Sequence, residues 1–267
     1  MISFVGAGPG AADLLTLRGR DRLAAADVIV WASSLVPEAL LEHARPHSEI
    51  HDSASMTLED ILAVYAARPG VPIVRLHSGD PSVYGAIQEQ IDWCLAVGRE
   101  FEIVPGVSSL GAAAAALGTE LTAPGVAQSV VLTRLAGRTS ASMPDGQAVA
   151  DYTPHGATLA AFLSGARPAE LQAELLAPGS GYTPDTPVAA VIRASWPDQV
   201  VVRTTVGNLA QDLAATGATT TVLVLVGPAL GPSGHPAARS HLYRPDFAHR
   251  FRRRSRPGTT AGRPARP

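Results

Sequence analysis

Short apolar runs alternate with helical stretches along the first 117 residues. Strands are predicted at 2–5, 27–31, 71–76 and 101–104, and helices at 14–26, 57–67, 86–96 and 110–117. Ser53 and Ser55 are candidate caps for the second of these helices. Alternation of this kind is typical of parallel strands joined by right-handed crossover helices. The sequence therefore predicts an α/β fold whose N-terminal sheet is mainly parallel.

The second half of the chain has a different pattern. Strands are predicted at 129–133, 158–163, 187–193, 199–204 and 221–226, and helices at 147–151, 168–176 and 208–215. No helix separates the two strands on either side of Trp196, Pro197 and Asp198, which predicts an antiparallel hairpin and hence a mixed C-terminal sheet. We predict an N-terminal domain at 1–118, a C-terminal domain at 119–235 and a tail at 236–267.

The charge is concentrated at the C-terminus. All 21 basic residues are arginines, and nine of them lie in the tail beside a single acid, Asp246, so the tail carries a formal charge of +8 and the rest of the chain −10. Such a tail suits nucleic acid or another acidic surface. Its proline, glycine and alanine content favours a disordered, solvated extension instead. No nucleic-acid partner is expected.

Composition excludes several kinds of chemistry. Without a lysine the chain has neither a Schiff-base nor a P-loop lysine, and its one cysteine, Cys94, cannot form an internal disulfide. Cys94 is expected to pack inside a helix, and no metal site is expected. No apolar run approaches the roughly 20 residues that cross a bilayer. Because the N-terminus also lacks a signal-like pattern, we predict a cytoplasmic protein without membrane contact.

The first glycine turn partly matches a dinucleotide fingerprint. Gly6, Gly8 and Ala11 satisfy the G-x-G-x-x-A form between a strand and a helix. Pro9 removes an N–H that pyrophosphate would need, and no carboxylate follows the second strand to bind a ribose. A tight strand-to-helix turn explains the glycines equally well.

The most informative motif covers residues 75–85. It contains the end of a buried strand, a Gly-Asp-Pro turn and the approach to a helix. Ligands of open α/β sheets bind just outside such strand ends. The turn has one carboxylate, Asp80, and neither a lysine nor a run of glycines, which indicates a ligand other than a nucleotide phosphate. Gly-Asp-Pro is also an ordinary turn sequence.

Several motifs together resemble the tetrapyrrole methylases. In order, these are residues 4–10, 33–36, 78–85 and 105–109, followed by 133–134, 137–139, 155–159 and 187–189. The resemblance covers about residues 2 to 230. Segments 75–80 and 194–199 resemble most the family members of the cobalamin pathway. The resemblance implies two α/β domains with a cleft between them, S-adenosylmethionine (SAM) as methyl donor, a tetrapyrrole substrate and a homodimer.

The resemblance also implies roles for individual residues. The expected cofactor-binding residues are Pro9, Gly79, Asp80, Val83, Ser108, Ser109, Leu163 and Ala194. Leu163 and Ala194 also suit a simple apolar core, and Asp80 is expected to anchor its turn rather than act as a base. Tetrapyrrole carboxylates pair well with guanidinium groups. The candidate substrate-binding residues are Arg75, His77, Tyr84, Arg134, Arg138, His155 and Arg193. Any of these is equally suited to a surface ion pair.

Catalysis by such an enzyme is mostly alignment, so no dedicated acid or base is expected. Family members that methylate uroporphyrinogen carry an aspartate soon after the second strand. Residues 31–34 contain no acid here, which disfavours that substrate. Three alternatives stay open. The first is C-methylation of another precorrin or of uroporphyrinogen. The second is methylation of ribosomal RNA or of a modified histidine, as in other members of the superfamily, and the third is a binding protein without catalytic activity.

Overall fold

A computed structural model gives the structure of residues 1–136 and 142–231, and of 240, 242, 247, 248 and 250. Arg138 and most of the predicted tail lie outside these described residues. The strands are β1 Ile2–Gly6, β2 Val28–Trp31, β3 Glu49–Asp52, β4 Ile73–His77, β5 Phe101–Val104, β6 Val130–Arg134, β7 Thr158–Phe162, β8 Pro187–Ile192, β9 Val200–Thr205 and β10 Val222–Val226. The α-helices are α1 Leu17–Ala25, α2 Leu58–Ala66, α3 Gln88–Ala96, α4 Ser109–Leu117, α5 Val149–Tyr152, α6 Pro168–Leu175 and α7 Leu209–Ala215.

The N-terminal half forms a five-stranded sheet in the order β3-β2-β4-β1-β5. Every neighbouring pair is parallel, which confirms the predicted sheet type. Strand β3 is absent from the sequence prediction. It is a short edge strand of sequence Glu-Ile-His-Asp with no fully buried residue, so it lacks the apolar run that identifies a buried strand.

Two local predictions near helix starts are wrong. The helix predicted from Leu14 begins at Leu17, because Thr16 caps it by accepting the Gly19 N–H at 3.1 Å. Thr57, not Ser53 or Ser55, caps α2 in a reciprocal capping box with Asp60. The Ser53 hydroxyl instead donates to the Trp31 carbonyl at 2.8 Å.

The C-terminal half forms a second five-stranded sheet in the order β6-β7-β10-β8-β9. β6 and β7 are parallel, whereas the other three pairs are antiparallel. The predicted mixed sheet and the predicted β8–β9 hairpin are therefore both confirmed.

Apolar side chains cover both faces of the first sheet. Leu23 of α1 packs on one face, and Tyr65 of α2 and Ile91 of α3 pack on the other. Cys94 is fully buried in α3, as predicted. Helix α4 packs on the second sheet, where Ala113 contributes to the core beneath β8 and β10. The first sheet precedes residue 118 and the second follows it, and the division into domains there stays a prediction.

Candidate cofactor and substrate site

The carboxyl ends of β1 and β4 form the switch point of the first sheet. These strands are neighbours, but the chain leaves β1 towards β2 on one side and leaves β4 towards β5 on the other. Helix α1, which follows β1, and helix α3, which follows β4, pack on opposite faces of the sheet. Neighbouring strands whose connections run to opposite faces open a crevice outside the strand ends, where α/β proteins bind ligands. The turns at Gly6 and His77 therefore meet where a ligand is expected.

Three glycines bring the turns after β1, β4 and β5 into direct backbone contact. A Cβ atom on Gly6 would lie 2.4 Å from the Gly106 Cα, and one on Gly106 would lie 2.1 Å from the Gly79 oxygen. Neither position has room for a side chain. Gly79 also has a φ of 64°, in the left-handed region that favours glycine. The floor of the crevice is consequently packed backbone.

Asp80 joins two of these turns. Its Oδ2 accepts the Gly106 N–H at 2.9 Å, and its Oδ1 accepts the Ser82 N–H at 2.8 Å. Partial burial raises the pKa of the carboxyl, but the hydrogen bonds from Gly106 and Ser82 outweigh it and the net pKa is lowered. The carboxylate therefore anchors its turn, and an anionic acceptor held in this way is poorly suited to act as a general base.

The first glycine turn uses its N–H groups within the protein. Gly8 and Gly79 exchange backbone hydrogen bonds at 3.2 and 2.8 Å, and the Ala7 N–H donates to the His77 carbonyl at 2.7 Å. The Ala11 N–H donates to the Ser195 hydroxyl at 2.9 Å. Since these groups are engaged and Pro9 has no N–H, the turn offers little to a pyrophosphate. Its glycines serve the close approach of two turns.

A cavity of about 320 Å³ lies above these turns and between the two sheets. All eight residues predicted to bind the cofactor line it: Pro9, Gly79, Asp80, Val83, Ser108, Ser109, Leu163 and Ala194. Ser108 also caps α4, accepting the Leu110 N–H at 3.3 Å, which fixes the N-terminus of that helix at the wall. The structure thus gathers into one site residues that are up to 185 positions apart in the sequence.

Four further lining residues were not predicted from the sequence. Thr219, Thr220 and Thr221 contribute a run of hydroxyl-bearing residues directly before β10, and Phe162 contributes an aromatic ring. The Arg193 backbone N–H donates to the Thr221 carbonyl at 2.8 Å, so the antiparallel pairing with β8 brings this run to the site. The run of three threonines directly before an apolar strand is the sequence feature that could have indicated these lining residues.

Tyr84 and Phe162 line one edge of the cavity, and Arg134 lies near them without being part of the lining. The ring centroids of Tyr84 and Phe162 are 5.3 Å apart, and Phe162 pairs with Arg134 across β6 and β7. Burial raises the pKa of Tyr84, and the positive charge of Arg134 opposes that shift. The Arg134 guanidinium donates to the Leu135 carbonyl at 3.3 Å and to the Ser142 hydroxyl at 3.1 Å. Aromatic and cationic groups from both halves therefore share this edge.

Arg75 and His77 lie beneath the site rather than in its lining. Both are buried on the face of the first sheet that α2 and α3 cover, and His77 contacts the Phe4 ring. Arg75 donates to the Ser53 hydroxyl at 2.7 Å. Burial, with the nearby charge of Arg75, lowers the pKa of His77 to about 3. Their positions favour support of the turn above them over direct contact with a substrate.

The remaining candidates are dispersed. Arg193 donates from Nε to Asp198 at 2.7 Å and precedes the lining residue Ala194. His155 is exposed at the end of a short 3-10 turn and is not part of the cavity wall. Arg138 lies outside the described residues.

The stretch after β2 has an acid beside it in space. Asp52, at the end of β3, accepts the Ser33 N–H at 3.1 Å and the Ala54 N–H at 2.9 Å. Hydrogen bonds from Ser33 and Ala54 lower the pKa of this carboxyl.

Within the described residues, no group of three or more His, Cys, Asp or Glu is arranged to hold a metal ion, and no helix is long and apolar enough to cross a membrane.

Fold and site together define a two-sheet α/β protein with a cavity at the switch point of its first sheet, lined by residues from both halves of the chain. The chain belongs to the tetrapyrrole (corrin/porphyrin) methylases, whose family model matches residues 1–210. The resemblance found in the motifs is thereby confirmed.

Relatives with assigned activities match nearly the whole chain. A cobalt-precorrin-4 C(11)-methyltransferase of Methanocaldococcus jannaschii is 44% identical over 94% of this chain and 96% of its own length. A precorrin-4 C(11)-methyltransferase of Pseudomonas aeruginosa is 45% identical over 94% of this chain and 98% of its own.

Solved structures agree with the fold. A cobalt precorrin-4 methyltransferase of cobalamin biosynthesis superposes with a TM-score of 0.82 at 40% identity, covering 86% of this chain and 96% of the other. A uroporphyrin-III C-methyltransferase of Thermus thermophilus, complexed with S-adenosylhomocysteine, gives 0.70 at 29% identity, covering 86% and 98%.

Proposed function

We propose that this protein is a SAM-dependent C-methyltransferase that methylates C11 of precorrin-4, or of its cobalt complex, in cobalamin biosynthesis. The observation that carries the proposal is the cavity that all eight predicted cofactor positions line. Relatives with this activity, which match 94% of the chain at 44% and 45% identity, support the choice of substrate. One of these relatives is named for cobalt-precorrin-4 and the other for precorrin-4, so both substrates are included in the test.

The chemistry of the lining fits SAM. SAM has a sulfonium, an adenine, a ribose diol and an amino-acid end, and it has no phosphate. Val83, Leu163 and Ala194 offer apolar wall, whereas Ser108, Ser109 and the Thr219 to Thr221 run offer hydroxyl groups. The chain contains no lysine that would mark a phosphate site. These residues would hold the cofactor at the switch point.

The protein's part in the reaction is orientation. When bound, SAM supplies a methyl group on a positively charged sulfur, and this group needs no further activation. The packed turns at Gly6, Gly79 and Gly106 give the cofactor a tightly packed floor, and residues from both halves of the chain form its walls. Alignment of the reacting groups can supply on the order of 7–11 kcal/mol. No proton transfer by Asp80 is required, since its carboxylate is occupied with N–H donors.

The edge formed by Tyr84, Phe162 and Arg134 is the proposed position for the tetrapyrrole. A flat macrocycle suits the aromatic rings, and its carboxylate side chains suit a guanidinium. Arg138 follows β6 in the sequence, and we propose on sequence grounds that it binds the same substrate.

We further infer a cytoplasmic homodimer. The dimer is expected from the family resemblance. Two-fold symmetric dimers are also the commonest kind of homo-oligomer. Light scattering on the purified full chain tests it: a mass of two chains is expected, and a mass of one chain would contradict it. Cell fractionation with an antibody to the protein tests the location.

Methyl transfer itself is the decisive measurement. Purified protein is incubated with SAM and precorrin-4, or with SAM and cobalt-precorrin-4, and the products are analysed by mass spectrometry. A gain of one methyl group is expected with at least one substrate, and NMR should find the carbon-13 from methyl-labelled SAM in a methyl group bonded to C11. If neither substrate gains a methyl group, the proposal is overturned. Labelling at another carbon would leave a methyltransferase but reject the position.

A further inference from the structure

The loop between β8 and β9 closes on the first glycine turn. The Trp196 indole donates from Nε1 to the Pro9 carbonyl at 3.0 Å, and the Ala11 N–H donates to the Ser195 hydroxyl at 2.9 Å. Residues 193–199 belong to the second half of the chain and residues 6–11 to the first. We call these two hydrogen bonds, with the Trp196 ring, the clasp.

The Trp196 ring is held on two sides. A Cβ atom on Gly10 would lie 2.2 Å from Trp196 Cδ1, so the ring rests against a backbone that only glycine allows. On the loop itself, the Arg193 guanidinium lies 4.0 Å from the centre of the ring and is fixed by Asp198 at 2.7 Å. Stacking of a guanidinium on an indole is a stabilising contact. The ring is therefore oriented by groups of the protein itself.

The loop adopts an unusual backbone to reach this position. Arg193 and Ser195 have φ angles of 51° and 66°, in the left-handed region that is strained for residues other than glycine. The Ser195 N–H donates to the Gln199 side chain at 2.7 Å, which helps to hold the turn. Such strain concentrates at functional sites, where the surrounding structure maintains it.

The clasp ties together two walls of the cofactor cavity. Pro9 lines the cavity and accepts the Trp196 hydrogen bond; Ala194 lines it and stands two residues before Trp196. The two wall residues come from different halves of the chain. The distance between them is consequently set by the clasp as well as by the wider packing of the two halves.

Trp196 is also separate from the main cores. In the part of the chain that the structure describes, it belongs to none of the buried apolar clusters, and it is only half-buried. Removing its N–H leaves those clusters unchanged. Its loss should therefore affect the cavity more than the stability of the fold.

We propose that Trp196 is a positioning residue, which holds the Pro9 and Ala194 walls at the separation that the cofactor requires. The inference rests on the proposed use of SAM. The β8–β9 loop, which belongs to the second half of the chain, thereby forms one side of the cofactor site. The hydrogen bond from Trp196 to the Pro9 carbonyl connects this loop to the first glycine turn.

Trp196→Phe is the sharpest test, because the variant keeps an aromatic ring against Gly10 and under Arg193 but loses the N–H donor. Binding of S-adenosylhomocysteine is measured by calorimetry, and about fivefold weaker affinity is expected, as for one hydrogen bond. In turnover assays the KM for SAM should rise while the KM for the tetrapyrrole changes little. A purely structural role would lower the melting temperature without this selective change.

Trp93→Phe is the matched control. Trp93 lies on α3 and packs against the Tyr65 ring at 5.9 Å, and it is not part of the cavity lining. It should lose no affinity for S-adenosylhomocysteine. Equal affinity of Trp196→Phe and wild type would overturn the clasp while leaving the proposed function intact. Failure of the wild type to bind S-adenosylhomocysteine would count against the proposed cofactor itself.

Ser195→Ala provides a second variant should Trp196→Phe fold poorly. It removes the acceptor of the Ala11 N–H and leaves the indole in place. We expect about fivefold weaker binding of S-adenosylhomocysteine, again as for one hydrogen bond, with little change in melting temperature. Unchanged binding in this variant would also reject the clasp as a determinant of cofactor affinity.

Discussion

The carboxylate of Asp80 accepts the backbone N–H of Gly106 at 2.9 Å and so fastens the turn after β4 to the turn after β5. Its second oxygen closes its own turn through the Ser82 N–H. One side chain thus fixes two of the three turns that form the floor of the cavity. Because these N–H donors lower its pKa, the group stays anionic at neutral pH and keeps both contacts.

Asp80→Ala should weaken S-adenosylhomocysteine binding by about tenfold or more. The variant removes both acceptors and frees the Gly106 turn, and hydrogen bonds to a charged group are each worth about 1.5–3 kcal/mol. Calorimetric titration measures the change. Asp60→Ala is the control, since Asp60 also accepts a backbone N–H, that of Thr57 at 2.9 Å, but at the start of α2. Equal affinity of Asp80→Ala and Asp60→Ala would refute the assignment.

Gly106→Ala should damage both stability and cofactor binding. The new Cβ would lie 2.1 Å from the Gly79 oxygen, so the two turns must separate. We expect the free energy of unfolding to fall by about 1–3 kcal/mol, as for overpacking. Gly111→Ala serves as the contrast: it lies in α4 with nothing within 4 Å of the added Cβ, and it should gain up to about 1 kcal/mol. Urea unfolding distinguishes them, and a stable Gly106→Ala would show that the contact is not tight.

The lining positions near the first sheet were predicted from the resemblance to the tetrapyrrole methylases, and the fold explains why these positions lie together. Pro9, Gly79 and Ser108 stand in turns after β1, β4 and β5, and parallel strands bring their carboxyl ends to one edge. A turn that directly follows a parallel strand can therefore be placed at this edge of the sheet from the local sequence. Thr219 to Thr221 were missed because they precede β10, and only its antiparallel pairing with β8 places them at the cavity.

The face of the sheet on which a strand residue places its side chain was also not predictable from the sequence. Arg75 and His77 occupy a strand that ends at the site, but alternate residues of a strand point to opposite faces. The identity of the face depends on how α2 and α3 pack, and this packing buries both residues. Strand β3 escaped prediction for a related reason: its polar residues belong to an exposed edge.

Arg134→Gln should weaken tetrapyrrole binding without changing the affinity for S-adenosylhomocysteine. Arg134 pairs with Phe162 beside Tyr84, at the edge proposed for the macrocycle. Loss of one charged contact to a carboxylate should raise the tetrapyrrole Kd about tenfold or more. Fluorescence titration gives this value. Arg20→Gln is the control, since Arg20 is exposed on α1 and pairs with Asp21. An unchanged tetrapyrrole Kd for Arg134→Gln would remove the residue from the substrate site.

His77→Gln should flatten the acid side of the stability profile. His77 has a pKa of about 3 in the folded protein, against 6.5 in the unfolded chain, because it is buried near Arg75. As the pH falls below 6.5, the unfolded state takes up a proton that the folded state does not, so wild-type stability should decrease, by at most about 1.4 kcal/mol per pH unit. Above about pH 7.5 both states hold neutral His77 and this effect vanishes. Urea unfolding of both proteins between about pH 5 and pH 8 measures the slope, within a range where the carboxylates titrate little. Parallel profiles for the two proteins would show that His77 is protonated equally in the folded and unfolded states.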